Sequence, residues 1–269
     1  MEIKVIIAMH KPYQVPVDDI YVPLHVGACG KANIEIAGKK ILTDDNGDNI
    51  SEKNPNYCEL TGLYYAWKNI AADVIGLVHY RRYFTAKKLS YRKRHKPFEC
   101  VLDNNELSAL LKRGDIIVPN KRKYYIESLY SHYCHTLDGM HLDLAREIVE
   151  DKYPEYLEYV DKAYNSTSGY MFNMTIMKKQ YLDEYCSFIF TVLGVMEGRI
   201  DISGLDAFSA RLFGRVSEIL FNAYILKKRD ESVSIVECRT MDMEPVNWLK
   251  KIWGFLAAKF FGKKYTKSM

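Results

Sequence analysis

From Ser51 to Phe84 the chain reads SEKNPNYCELTGLYYAWKNIAADVIGLVHYRRYF, and a change of pattern inside this stretch decides the fold class. Leu60, Leu63, Tyr64, Trp67 and Ile70 recur at helical spacing, predicting a helix over Tyr57 to Ile70 with one buried face, opened by Lys53, Asn54 and Pro55. From Asp73 the pattern becomes an apolar run, Val74, Ile75, Gly76, Leu77 and Val78, which suits a strand covered on both faces. The run stops at His79-Tyr80-Arg81-Arg82. In an open α/β sheet, ligands collect outside the carboxyl ends of the strands, and helix N-termini attract anions. Lys53-Asn54 and His79 to Arg82 are therefore expected to converge on one pocket for an anionic ligand.

Upstream, Ile3 to Met9 is short and β-branched and is followed by His10-Lys11-Pro12. It reads as a first parallel strand with a ligand-facing loop at its carboxyl end. Tyr13 to Gly30 reads as irregular, because Pro16, Pro23, Gly27 and Gly30 break any long helix. Asp44-Asp45-Asn46-Gly47-Asp48 is a polar turn; it lacks the terminal glutamate of a calcium loop, so turn chemistry is preferred to a metal site. Downstream, Lys87 to Lys96 is a basic loop, either a phosphate or membrane contact or simply solvated. A helix over Glu106 to Lys112 and a strand over Asp115 to Pro119 follow. In the aromatic stretch Tyr124 to His141, His132 and His135 share a helix face, but the two-histidine helical zinc signature is absent and no set of three or four ligands appears. Substrate hydrogen bonding or packing is preferred there.

Leu142 to Tyr164 reads as helix interrupted at Pro154, Ser168 to Met177 as strand, and Lys179 to Glu197 as a core helix. After a loop from Asp201 to Asp206 comes an amphipathic helix, Ala207 to Leu226. It carries Arg211 and Glu218 two turns apart on one face. Asp206 stands at its N-terminal edge, where capping alone explains an aspartate.

With 269 residues, 48% of them hydrophobic, the chain can bury a full core without staples. The net charge of +4 hides an uneven distribution, with eight Lys or Arg and no acid between Arg81 and Lys96, which favours an anionic partner or a solvated loop. Packing accounts for most of the 21 tyrosines, and sugar stacking is the other use for such rings. Six singly scattered cysteines look like reduced cytosolic thiols. Met1-Glu2-Ile3-Lys4 leads straight into a strand, and no apolar segment reaches the roughly 20 residues of a membrane span. The body is expected in the cytoplasm. Trp248 to Met269 differs in holding six lysines and no acid, with Trp248, Leu249, Ile252, Trp253, Phe255, Leu256 and Phe260 on one helical arc. Such a segment is expected to lie in a membrane interface over 248–261, attaching the protein peripherally to the inner leaflet. The division expected is a body over 1–245 and a basic amphipathic helix over 246–269.

The motifs KNPNYCELTGLYYAWKN, GLVHYRRYF, SGYMFNMTIM and LDAFSARLFGRVSEILFNAYI, together with IIAMHKP and YVPLHVGA, span roughly residues 3 to 230. In this order they resemble the bacterial capsular and exopolysaccharide glycosyltransferase family first catalogued as a domain of unknown function. The resemblance implies a GT-A-like, nucleotide-binding α/β fold, an open sheet flanked by helices. It also implies transfer of a sugar, with galactofuranose associated, from a nucleotide diphosphate donor (uridine-linked in expectation) to a lipid-linked glycan. In metal-dependent GT-A enzymes an Asp-x-Asp pair stands where this chain has His79-Tyr80-Arg81-Arg82. Two guanidiniums can neutralise a diphosphate by bidentate hydrogen bonds, so inverting transfer without a divalent metal or other cofactor is expected. The preferred base is Asp206, with Glu59 and Glu218 as competitors, and Arg81 and Arg82 stabilise the leaving group. His10, Lys11, Lys53, Asn54, Glu59, His79 and Arg211 are expected at the donor, and His132, Tyr133 and His135 at the acceptor. A noncatalytic glycan- or lipid-phosphate-binding recruitment protein is the alternative. Nucleic-acid binding is not expected, because no recognition module accompanies the basic stretch.

Overall fold

The computed structural model describes residues 1–244. The basic segment expected at a membrane, 248–261, lies outside the described residues. The sheet strands, in chain order, are β1 (Ile3–Met9), β2 (Tyr21–His25), β3 (Leu42–Thr43), β4 (Val74–His79), β5 (Arg82–Thr85), β6 (Ile116–Pro119), β7 (Thr175–Lys178) and β8 (Ile235–Asp242). The helices used below are α1 (Asn54–Tyr57), α2 (Leu60–Asn69), α3 (Asn104–Leu111), α4 (Leu129–Cys134), α5 (Met140–Lys152), α6 (Leu157–Asn165), α7 (Lys179–Glu197) and α8 (Leu212–Asp230).

The eight strands run in the order β7-β6-β8-β5-β4-β1-β2-β3, with β7 also pairing with β4, so that half of the sheet closes on itself. β1, β2, β3 and β4 are mutually parallel where they pair, whereas β7 is antiparallel to both β4 and β6. The two-residue side-chain period divides β1 between two cores. Ile6 and Ala8 join Leu24, Leu60, Leu77, Phe188 and Phe213 on the face carrying α2, α7 and α8. Val5, Ile7 and Met9 join Val78, Tyr83, Phe84 and Leu107 on the face carrying α3. A near-continuous apolar strand is thus covered on both sides, as its composition requires. Gly76 is needed for the closure: a Cβ there would come within 2.6 Å of Ile176 on β7.

Three expectations are corrected. Tyr13 to Gly30 is not wholly irregular, because Tyr21–His25 forms β2 despite Pro23. β3 pairs only with Leu24 and His25, so Pro23 lies beyond the reach of that edge neighbour, where a missing N–H is tolerated. The helix expected to include Tyr57 is broken at Cys58, whose φ of 55° separates α1 from α2. Asn54 bridges the break by donating from Nδ2 to the Cys58 carbonyl and to Thr61 Oγ1. The strand expected over Ser168 to Met177 is interrupted by Phe172 and Asn173, both left-handed (φ 79° and 51°). β8 lies inside the sheet between β5 and β6, although its alternation at Ile235–Asp242 carried no strand expectation.

Candidate functional site

The carboxyl ends of β1 and β4 lie side by side, with Ala8 opposite His79, and a tight turn at Tyr80-Arg81 leads from β4 into β5. Tyr80 is buried, its N–H donating to the Ala8 carbonyl. Its ring meets the edges of His10 and Tyr13, each at 5.3 Å between centroids, and lies near Lys11 Nζ at 5.7 Å and the Arg81 guanidinium at 5.2 Å. The quadrupole of one ring thereby gathers cations at the carboxyl ends of these strands. Burial pushes the His10 imidazole below its ordinary range, and Arg81, Lys11, Arg211 and Lys31 push it further the same way. A neutral imidazole amid four cations marks a region of positive potential suited to an anion.

Arg211 belongs also to the wall of an adjoining cavity of about 240 Å³. Arg211, which stands at the N-cap of α8, lines it together with Arg215 and Glu218, three residues apart on one face of that helix. Across from them stand Cys58 and Glu59 at the α1–α2 break, and Arg122, Tyr124, His132 and Tyr133 further along. Gly214 allows the helix to approach, since a Cβ there would meet Cys58 Sγ at 3.2 Å, and Arg211 donates from Nε to that sulfur at 3.1 Å. Burial lowers the Arg215 pKa, and its guanidinium lies 4.1 Å over the Phe208 ring.

Glu218 is the titratable centre of this wall. Burial, reinforced by the nearby Glu59 carboxylate, pushes it up to about 7, while Arg215, the Phe172 N–H and Arg122 act in the opposite direction. The Phe172 N–H donates to Glu218 Oε1 at 2.9 Å. Asn173 donates from Nδ2 to Glu59 Oε1 (2.8 Å) and to the Gly214 carbonyl (3.0 Å), and its own carbonyl oxygen accepts from Ser217 Oγ (2.7 Å). The left-handed pair Phe172-Asn173 therefore holds both cavity carboxylates.

The residues singled out from sequence divide into those the structure brings together and those it separates. His10, Lys11, Arg81 and Arg211 form the cationic cluster; Glu59, Glu218, His132, Tyr133 and Arg211 line the cavity. Arg82 is turned away from Arg81: its Nε and Nη2 both meet Asp242 Oδ1, at 2.8 and 2.7 Å, and its guanidinium stacks 3.7 Å over Phe172. Arg81 lies 3.6 Å from Glu244 and stays half exposed. Lys53 pairs with Glu197 at 2.8 Å, and Asn54 is spent on the α1–α2 break. His79 donates from Nε2 to the Phe172 carbonyl at 2.7 Å. His135 and His132 flank the buried Glu127 carboxylate, with Nδ1 to oxygen distances of 2.9 and 3.0 Å, and His135 is not part of the cavity wall. Asp206 is exposed and accepts from the N–H groups of Phe208 and Ser209 and from Ser209 Oγ, which lowers its pKa; the cavity wall includes Phe208 and not Asp206.

Sequence reasoning missed Arg122, Arg215, Glu127 and the Phe172-Asn173 turn. Arg215 was within reach, four residues after Arg211 on the face already identified. The turn had no signal, because its conformation is imposed by the elements around it. Asp44, read as part of a polar turn, is fully buried and accepts from the N–H groups of Gly27 and Ala28 and from Ser51 Oγ, fixing the loop that follows β2. Among the described residues no three His, Cys, Asp or Glu side chains are grouped so as to hold a metal ion. Among them, too, no helix is long and apolar enough to cross a membrane.

The family model described as a domain of unknown function, DUF4422, matches residues 4–229. The chain belongs to the DUF4422 family. A solved structure titled as the apo form of the WbbM bifunctional glycosyltransferase superposes on this DUF4422 chain with a TM-score of 0.81 and 30% sequence identity, covering 91% of this chain and 46% of that one. This chain thus spans about half the length of the solved protein it matches. A search of curated proteins gave no match. The DUF4422 fold is accordingly that of a glycosyltransferase-like α/β protein with a central sheet and flanking helices.

Proposed function

We propose that the protein is a GT-A-like, inverting glycosyltransferase that moves a sugar from a nucleotide diphosphate donor to a glycan hydroxyl in surface-polysaccharide synthesis. The observation that carries this reading is the junction at Arg211, where the cationic cluster around His10 meets the cavity that holds Glu218. The likeness to a glycosyltransferase over nine-tenths of the chain supports it. The diphosphate lies against His10, Lys11 and Arg81 at the carboxyl ends of β1 and β4, where an α/β sheet takes its ligands. The donor sugar enters the cavity with its anomeric carbon facing the acceptor. The acceptor oxygen attacks that carbon, the bond to the diphosphate oxygen breaks, and the acceptor proton passes to Glu218. Arg81 and Arg211 stabilise the negative charge that grows on the leaving group.

Glu218 is preferred to Asp206 as the base for two reasons. A carboxylate titrating near 7 has both the affinity for a proton and the ionised fraction that base catalysis needs, whereas a capping aspartate held at low pKa has little proton affinity. Glu218 also lines the cavity. His132 and Tyr133 stand on the acceptor side of that space. The cationic side chains take the place of a divalent ion in this reading, galactofuranose is the first donor sugar to try, and 248–261 holds the protein at the membrane that carries a lipid-linked acceptor. The test is turnover with a panel of nucleotide sugars, uridine diphosphate galactofuranose included, first in chelator and then with magnesium or manganese. Transfer in chelator supports the scheme, metal-dependent transfer overturns its arginine-based part, and donor binding without turnover favours a recruitment role.

A further inference from the structure

The cationic cluster and the cavity meet through Arg211, but a second connection runs behind it. His79 closes β4 and lies opposite Arg82, and its imidazole is half-buried. A carbonyl oxygen only accepts, so the 2.7 Å contact between Nε2 and the Phe172 oxygen requires the proton on Nε2. The same peptide region is gripped from three other sides. The Arg82 guanidinium stacks on the Phe172 ring, Ser217 and Gly214 hold the Asn173 amide, and the Phe172 N–H points at Glu218. Two consecutive non-glycine residues with positive φ persist only where their surroundings over-determine them, and phenylalanine tolerates that region poorly.

We infer that His79 is a positioning residue: by holding the Phe172 carbonyl it fixes the left-handed Phe172-Asn173 turn, and through the Phe172 N–H it fixes the position of the Glu218 carboxyl. The inference assigns His79 a role away from the donor, and it rests on the reading of Glu218 as the base only for its effect on turnover. Besides the Phe172 N–H, the groups that face Glu218 are Glu59 at the start of α2, Arg211 just before α8, Arg215 on α8, Arg122 after β6, Tyr124, and Tyr185 on α7. None of these is bonded to His79, so a change at His79 reaches Glu218 through the turn.

The experiment is a carboxyl ¹³C titration of the full chain labelled at glutamate, with the Glu218 signal assigned by its loss in Glu218→Gln. His79→Ala frees the turn, and losing the N–H that favours the ionised form raises the Glu218 midpoint by about one pH unit or more. His79→Gln, whose amide nitrogen reaches nearly the position of Nε2, restores the midpoint to within a few tenths of a unit. If His79→Ala fails to fold, Asn173→Gly and Asn173→Ala ask the same question of the turn itself. Both variants lose the Asn173 amide alike, so the comparison between them isolates the backbone: glycine accepts the positive φ, alanine disfavours it, and the alanine variant has the higher midpoint. An unchanged midpoint in His79→Ala, or equal behaviour of the glycine and alanine variants, overturns the inference. A midpoint that moves while the acid limb of kcat/KM stays in place leaves the inference standing and removes Glu218 as the base.

Discussion

A base that titrates near 7 because it is buried must cost the fold stability when it ionises, and that cost can be measured apart from catalysis. Glu218 is raised from an ordinary 4.5 to about 7. Its folded-state pKa is above the unfolded one, so the folded chain binds the proton more tightly, and stability falls as pH rises from about 4.5 to about 7. The full difference of some 2.5 units corresponds to on the order of 3 kcal/mol, an upper bound because the carboxyl keeps contact with the cavity. Glu218→Gln removes this penalty while its amide oxygen still accepts from the Phe172 N–H. The variant should therefore match the parent in urea unfolding at pH 4.5 and exceed it at pH 8 by about 2–3 kcal/mol. Transfer should fall by about 10²–10⁴-fold, the usual worth of a positioned base. Subtracting the two pH series cancels every titration the variants share. A stability difference that does not change between pH 4.5 and pH 8 refutes the elevated pKa, and near-parental turnover refutes the catalytic assignment.

Replacing Arg81 by alanine should weaken donor binding at least about tenfold with unchanged unfolding, as expected for an exposed guanidinium lost from an anion site, read by calorimetry with a nucleotide diphosphate. Arg82→Ala should instead lower stability by about 1–3 kcal/mol, because it strands Asp242 and uncovers Phe172; equal effects of the two variants on donor affinity contradict this division. Asp206→Ala should lower the melting temperature slightly and leave kcat/KM within about a factor of three, whereas a loss of several orders of magnitude restores Asp206 as the base. Asp44→Ala should destabilise by about 2–5 kcal/mol, because the Gly27 and Ala28 N–H groups lose their acceptor in the interior, and unchanged urea unfolding contradicts that anchoring role.

The parts of the molecule legible in the sequence are those in which a pattern of side chains has one cheap solution. The apolar runs at Ile3 to Met9 and Val74 to Val78 are covered on both faces in the interior of the sheet, and Lys179–Glu197 shows the 3.6-residue period of a helix packed on one side. Arg211 and Glu218 were placed on one side of a helix by their spacing; α8 begins only after Arg211, at Leu212, yet both residues reach the cavity wall. The periodicity of a single element settles which way its side chains point. It does not settle what they meet.

That second question is where the reading of the arginines after β4 failed to distinguish them. Adjacent residues beside a tight turn project differently, so Arg81 remains at the cationic cluster while Arg82 reaches Asp242 on β8, 160 residues later. The partner lies on a strand that itself went unread, because Ile235–Asp242 leans on β6 with its first half and on β5 with its second and so is defined by its neighbours. The same holds for Asn173: its left-handed backbone, its bond to Glu59 and its grip on α8 exist only once β7, α2 and α8 are assembled. Asp206 and Glu218 differ for this reason too. In sequence both are carboxylates near one helix, yet Asp206 satisfies itself with Phe208 and Ser209, while Glu218 is surrounded by groups from four other parts of the chain. A carboxylate satisfied by its own turn is held ionised and made a weak base. One whose burial comes from distant elements carries its charge at a cost, and that cost gives Glu218 its affinity for a proton near neutral pH.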